Sequence, residues 1–227
     1  MAEKHQGLSP DVLAYRTVKD NMVMYQKGKK RFVPDSSIRE MICERKIDVT
    51  LKSYNSWNVD IALLRRFICD KATIIFAILI WMQEATVIEH FYRTQFTDNM
   101  LPVTYGFDHD DDDDDDNPSG ISPATEKMPD LNLEVIRNAF NEDVWNISAH
   151  DRFCTQEQWS FLSPIFHDNT FEYQFHEQCH MPFMDSHPMM TKDTNFSSVE
   201  KWRIHRDHLR IGCRIVSLVP LCFLIHS

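Results

Sequence analysis

Eleven consecutive residues, Ala72 to Met82, are apolar apart from Thr73. A bilayer span needs about 20 such residues, and a helix on the surface of a globule needs one polar face. This run has neither property. What remains is a helix enclosed by other elements, so the stretch is expected to be the central helix of a bundle. Its isoleucines would also suit a strand, but the length and the alanines Ala72 and Ala77 favour a helix. A second apolar run, Ile215 to Ile225, is interrupted by Ser217 and Pro220 and is also too short. No membrane span is expected.

The residues around the first run read as helices that could enclose it. Ser9-Pro10 is a start signal, with serine as cap and proline in the first turn. Ser37 followed by Glu40 has the spacing of a capping box, with Ile38, Met41 and Ile42 on one face. Val59, Ile61, Leu64, Phe67 and Ile68 mark a third helix, charged on its other side by Arg65 and Arg66. Val87, Ile88 and Phe91 continue an amphipathic helix toward Gln95, and Leu101-Pro102 closes a helical block over residues 1–105.

The formal net charge is −10, but eight of the 34 acidic residues are Asp108 and Asp110 to Asp116. Without them, 24 basic residues face 26 acidic ones, which leaves −2. A near-neutral body offers a polyanion no electrostatic attraction, so no nucleic-acid partner is expected. The basic cluster Lys27 to Arg31 reads as a solvated loop around Gly28, with nuclear import as the competing reading. The aspartate run repels itself and buries nothing, so residues 106–128 are expected to form a disordered acidic linker. Calcium capture there would require carboxylates held at defined spacing, which a homopolymer does not supply.

Six cysteines without CxxC spacing, and no apolar leader in the first thirty residues, point to free thiols in an intracellular compartment, cytoplasmic or nuclear. The sequons at Asn146 and Asn195 are then chance matches.

Residues 129–208 read as short helices followed by strands. Asp130 can cap a helix carrying Leu133, Ile136 and Phe140. Thr155 with Gln158 has capping-box spacing and would open a short helix through Trp159 and Leu162. Phe171, Tyr173 and Phe175 alternate with polar residues as a half-buried strand would. Met181-Pro182-Phe183 and Val199 to Ile204 are further strand candidates. Residues 209–227 form an apolar tail.

Few motifs carry chemistry. His176, Cys179 and His180, with His187 beyond, are zinc-compatible ligand types, but the paired short spacings of a closed zinc site are missing. His205 and His208 are no stronger. GxSxG, HExxH and phosphate-loop patterns are absent. His205-Arg206-Asp207 spells the start of a kinase catalytic loop, yet the residue five beyond Asp207 is Gly212 where magnesium-binding asparagine would stand. The tripeptide reads as coincidence.

Three stretches nevertheless resemble a fungal group of protein kinase-like proteins in which a helical extension precedes the kinase domain. In the first, Phe153, Gln158, Trp159, Phe161, Leu162, Pro164 and Phe166 match the group's entry element. Pro182 and Phe183 match a Leu-Pro-Phe element. Phe196, Val199, Lys201, Ile204, His205 and His208 match the element that carries the glycine-rich loop. The run Ile74 to Ile80, with Ile88, Glu89, Phe91, Asp98 and Leu101-Pro102, resembles the extension.

The resemblance implies a nucleotide-binding loop at Thr194, Asn195, Phe196, Val199 and Lys201, in degenerate form. The group's two glycines are Thr194 and Asn195 here, and side chains at those positions obstruct the approach of backbone amides to phosphates. Only 33 residues follow Thr194, and the lysine of the third strand, its glutamate partner, the catalytic aspartate and the magnesium ligands find no counterparts.

The expectation is therefore a mainly α protein: a helical bundle with a short C-terminal β element that resembles the first strands of a kinase N-lobe. It would be non-catalytic, with no catalytic or metal-binding residues and no cofactor, and would act through a protein partner. The alternative is an ATP-binding protein serine/threonine kinase, or a fragment of one.

Overall fold

The computed structural model describes residues 10–25, 29–54, 57–105, 121–123, 131–141, 145–167, 170, 173, 175–185, 187–193, 197–210 and 220–226. In chain order the elements are α1 (Pro10–Asp20), β1 (Val23–Tyr25), β2 (Lys30–Phe32), α2 (Asp35–Met41), α3 (Glu44–Ser53), α4 (Ile61–Lys71), α5 (Thr73–Met82) and α6 (Ile88–Thr94). There follow β3 (Val103–Tyr105), β4 (Ile121–Pro123), α7 (Leu131–Ala139), α8 (Ile147–Arg152), β5 (Phe166–His167), β6 (Met190–Asp193), β7 (Ser197–Arg203), β8 (Leu209–Arg210) and β9 (Pro220–His226). The protein is mainly helical with small sheets. No helix among the described residues is long and apolar enough to cross a membrane.

The chain divides into two compact units, residues 1–20 with 38–158, and residues 21–37 with 159–227. This division differs from the block boundaries read along the sequence. The segment carrying α7 and α8 belongs with the first helical block, and the β1–β2 hairpin belongs with the C-terminal strands. Contacts between residues distant in the chain set these memberships, and composition along the chain does not register them.

In the helical unit, α5 is the enclosed helix. Ile75, Ile78 and Leu79 have no exposed surface, and α1, α4 and α6 pack around it. Its first turn has no cap of its own; Asp98 supplies one from 23 and 24 residues downstream, accepting the Ile75 and Ile74 N–H groups at 2.9 Å each. The Asp60 side chain caps α4 by accepting from Ala62 and Leu63. Gln83 and Gln95 end their helices in the left-handed region, at φ 64° and 59°. Phe91, Phe96, Phe140, Trp145 and Phe153 form an aromatic cluster with ring centroids 4.9–6.2 Å apart.

Several local expectations are corrected. The helix expected from Ser37 begins two residues earlier, at Asp35, where a carboxylate in the first turn complements the positive end of the helix. Thr155 does not start a new helix. The chain is helical from Ile147, continues as a π turn over Phe153–Glu157, and the Thr155 hydroxyl donates back to the Asp151 carbonyl at 2.8 Å. Ile121–Pro123, expected within a disordered linker, pairs antiparallel with β3, placing Ile121 opposite Tyr105. Lys30 and Arg31, expected in a loop, lie on a strand of the β1–β2 hairpin. The aspartate run, Asp130 and Ser9 lie outside the described residues.

In the other unit, Tyr25, Phe32, Phe166, Phe183, Trp202 and Ile204 form the core. Phe183 and Trp202 stack with centroids 4.2 Å apart. The strand expected over Val199 to Ile204 is β7, and Phe183 bridges Ile204 at its end. Tyr173 and Phe175 pack against this core, with parallel rings 5.7 Å apart, but form no strand among the described residues.

Candidate functional site

Of the five residues that the resemblance assigns to a nucleotide loop, Val199 and Lys201 lie on β7, the middle strand of a three-stranded antiparallel sheet in the order β6-β7-β9. The β6–β7 connection is residues 194–196. Thr194, Asn195 and Phe196 lie outside the described residues. Val199 stands on β7 opposite Lys192 on one side and Leu224 on the other. Lys201, two residues on and half-buried, stands opposite Met190 and Cys222.

Beyond β7 the chain makes a tight turn, Arg206–His208, that gathers the His205-Arg206-Asp207 tripeptide. The His205 ring nitrogen Nδ1 accepts the Asp207 N–H at 3.3 Å. The Asp207 carboxylate accepts the Ser36 hydroxyl, and the Arg210 guanidinium donates to Asp35 at 2.9 Å and to the Asp207 carbonyl at 2.7 Å. Burial works to raise the Asp207 carboxyl. The Ser36 bond and the neighbouring His205, Arg206 and His208 outweigh it, and the group is held below the ordinary carboxylate range. A carboxylate already committed to a serine hydroxyl joins segments of the unit; the geometry is that of a structural tie.

His208 is 2% exposed. Its Nδ1 lies 3.0 Å from the Pro164 carbonyl, which fixes the proton on Nδ1. Its Nε2 is buried without a hydrogen-bond partner among the described residues. Phe32 packs edge-on against both imidazoles, with centroids 5.5 and 5.8 Å away. Burial lowers the affinity of both rings for a second proton.

The zinc-compatible residues do not converge. His176 stacks on Trp159 at 4.5 Å, and His180 Nδ1 lies 2.7 Å from the Arg31 carbonyl. Burial pushes the Cys179 thiol up to about 11, against the pull of Lys30, so the sulfur stays protonated. Among the described residues no three His, Cys, Asp or Glu side chains come together in a way that could hold a metal ion.

The helical unit contains a feature that motif reading did not single out. A pocket of about 400 Å³ opens between α1 and α3, with Phe76 and Ile80 of α5 on its floor. Leu13, Ala14 and Val18 line it from α1, and Met41, Ile42 and Val49 from the other side. A second cavity of about 310 Å³ shares Ala14, Thr50 and Ile80 with it and extends toward Tyr54 and Gln83. The first of the two is an apolar trough between α1 and α3. The residues that build it are far apart in the chain; the start of α1, the Ile38, Met41 and Ile42 face and the apolar run of α5 are legible in the sequence, and α3 is not marked there.

No protein-family model matches the chain, and none of the curated proteins or solved structures compared with it is similar.

Proposed function

We propose that this protein is a non-catalytic module built on the plan of a protein kinase-like protein: a helical extension followed by the opening strands of an N-lobe, working by binding a protein partner. The plan is supported by an antiparallel β6-β7-β9 meander whose first connection falls at the degenerate loop, residues 194–196.

The observation that carries the non-catalytic part of the reading is strand β9. It pairs along the whole of β7, from Ser197 opposite His226 to Arg203 opposite Pro220. In a kinase N-lobe the third strand bears the lysine that holds the nucleotide phosphates. Here the strand in that position reads Pro-Leu-Cys-Phe-Leu-Ile-His, with no ammonium group. The first connection carries Thr194 and Asn195 where the group has glycines, and side chains at those positions hinder close backbone approach to a triphosphate.

Calorimetric titration with ATP and magnesium tests the reading. No heat of binding is expected up to millimolar nucleotide. A micromolar dissociation constant would overturn it and return the protein to the ATP-binding kinases.

A further inference from the structure

The trough of the helical unit has a chemistry of its own. Two hydroxyls line its 400 Å³ pocket, and both are used internally: Thr17 donates to the Leu13 carbonyl at 2.9 Å and Thr50 to the Lys46 carbonyl at 3.0 Å. Each threonine therefore offers no free donor to a ligand, and the 400 Å³ section is lined mostly by carbon. Such a lining solvates an apolar chain and nothing else, and its size is that of a small-molecule site. Two large apolar side chains stand at the mouth still wet, Leu13 at 55% and Val49 at 47% exposure.

In the 400 Å³ pocket the charged side chains stand in one place, the first turn of α3. Arg45 and Lys46 both line the pocket there. Among the described residues no hydrogen bond or ion pair engages the Arg45 guanidinium. The Lys46 ammonium donates to the Glu40 carbonyl at 3.0 Å, which leaves it two further donors. Cys43, the residue before this helix, contributes no side-chain cap. A ligand that satisfies both parts of the trough is apolar along its length and anionic at one end.

Width decides between a lipid-like chain and a peptide helix. Helix α1 packs directly on both α3 and α5, so the trough is the crevice between helices already in contact. An α-helix with its side chains is about 10–12 Å across and needs an open face. A single hydrocarbon chain needs only the crevice.

We propose that this trough binds one free medium-chain fatty acid, its alkyl tail along the α1–α3 crevice and its carboxylate on Arg45 and Lys46. The proposal is independent of the kinase-like reading.

The test is calorimetric titration of the full chain with sodium dodecanoate below its micelle-forming concentration, with dodecyltrimethylammonium as the same tail bearing the opposite charge. Saturable binding at one site is expected, with the cationic homologue at least about tenfold weaker. Two sets of variants, all at exposed positions, follow: Arg45→Glu with Lys46→Glu, and Leu13→Glu with Val49→Glu. Each pair should weaken dodecanoate at least about tenfold while circular dichroism and the melting temperature report an intact fold. If one pair fails to fold, the other reads the same site. Absence of saturable binding, uptake of several molecules per chain, equal binding of the cationic homologue, or unchanged affinity in a folded variant pair would each overturn the proposal.

Discussion

The side chain of Gln158 pairs with the backbone of Val103 in both directions. Its Oε1 accepts the Val103 N–H at 3.0 Å, and its Nε2 donates to the Val103 carbonyl at 2.6 Å and to the Cys154 carbonyl at 2.6 Å. The amide thus serves β3 as a neighbouring strand would, in a site with no solvent exposure. Gln158→Ala would take the partner from the Val103 N–H and carbonyl and from the Cys154 carbonyl, and a buried group left unpaired costs about 1–3 kcal/mol. A loss of at least about 2 kcal/mol is expected in urea melts. Gln158→Glu should be comparably damaging, because a carboxylate cannot donate to either carbonyl. A loss below about 1 kcal/mol for both variants would show that water replaces the amide.

Asp98 caps α5 from outside the helix, and its removal should cost what a lost cap costs. Asp98→Ala is expected to lower stability by about 0.5–2 kcal/mol, with Asp98→Asn retaining part of it. Chemical denaturation of the two variants side by side checks this; equal losses would mean that the carbonyl-type oxygen of asparagine does not reach Ile74 and Ile75.

Ile78 and Arg65 stand on neighbouring helices in opposite environments. Ile78→Ala should cost about 2–5 kcal/mol, from lost transfer energy and the cavity left behind. Ile78→Asp should abolish cooperative folding, because no partner for a charge is at hand. Arg65 lies on the charged side of α4, as its place in the sequence implies, but it is not free: its guanidinium meets both Asp48 oxygens at 3.3 and 3.2 Å. The pair remains partly solvated, so Arg65→Ala should cost no more than about 1 kcal/mol. A cooperative Ile78→Asp melt at the parent midpoint would remove α5 from the centre of the helical unit.

Stability should fall on mild acidification. Burial holds His208 and His205 below the ordinary imidazole value of 6.5, and His150 shifts the same way. Around His208, the Pro164 carbonyl and the carboxylates of Asp35 and Asp207 pull upward, and His205 pulls down. A depressed imidazole binds fewer protons folded than unfolded, so folding loses free energy as pH drops through 6.5. Asp98 acts in the opposite sense. Burial raises its carboxyl to about 6, against three backbone N–H groups that lower it, so it adds stability as pH falls through that value. The melting temperature of the parent should decline from about pH 7.5 to about pH 5.5, less steeply in His208→Asn and more steeply in Asp98→Asn. A His208→Asn slope equal to that of the parent would show that this ring does not govern the decline.

The elements legible in advance share one property: their signal is complete within one segment. The run from Ala72 to Met82 has no polar face, so it had to be enclosed wherever the rest of the chain went. Pro10 starts α1 because its ring suits a first turn. Val199 to Ile204 alternates enough to be read as a strand, and β7 is there. Capping-box spacing at Ser37 and Thr155 misled because the same letters also suit a helix interior. At Ser37 the helix had started at Asp35, and at Thr155 the hydroxyl bonded back to Asp151.

By itself, then, the sequence determined that α5 would be buried, that helices would dominate and that Val199 to Ile204 would run as a strand, since apolar periodicity is a local property. The tertiary structure decided the rest. Strands β1 to β4 have three residues each, too few for a period, and exist because a distant partner supplies their hydrogen bonds. Gln158 reaches Val103 across 55 positions. The trough exists only where α1 meets α3 over α5, and no segment encodes it, because a cavity is the space that separate surfaces leave when they pack.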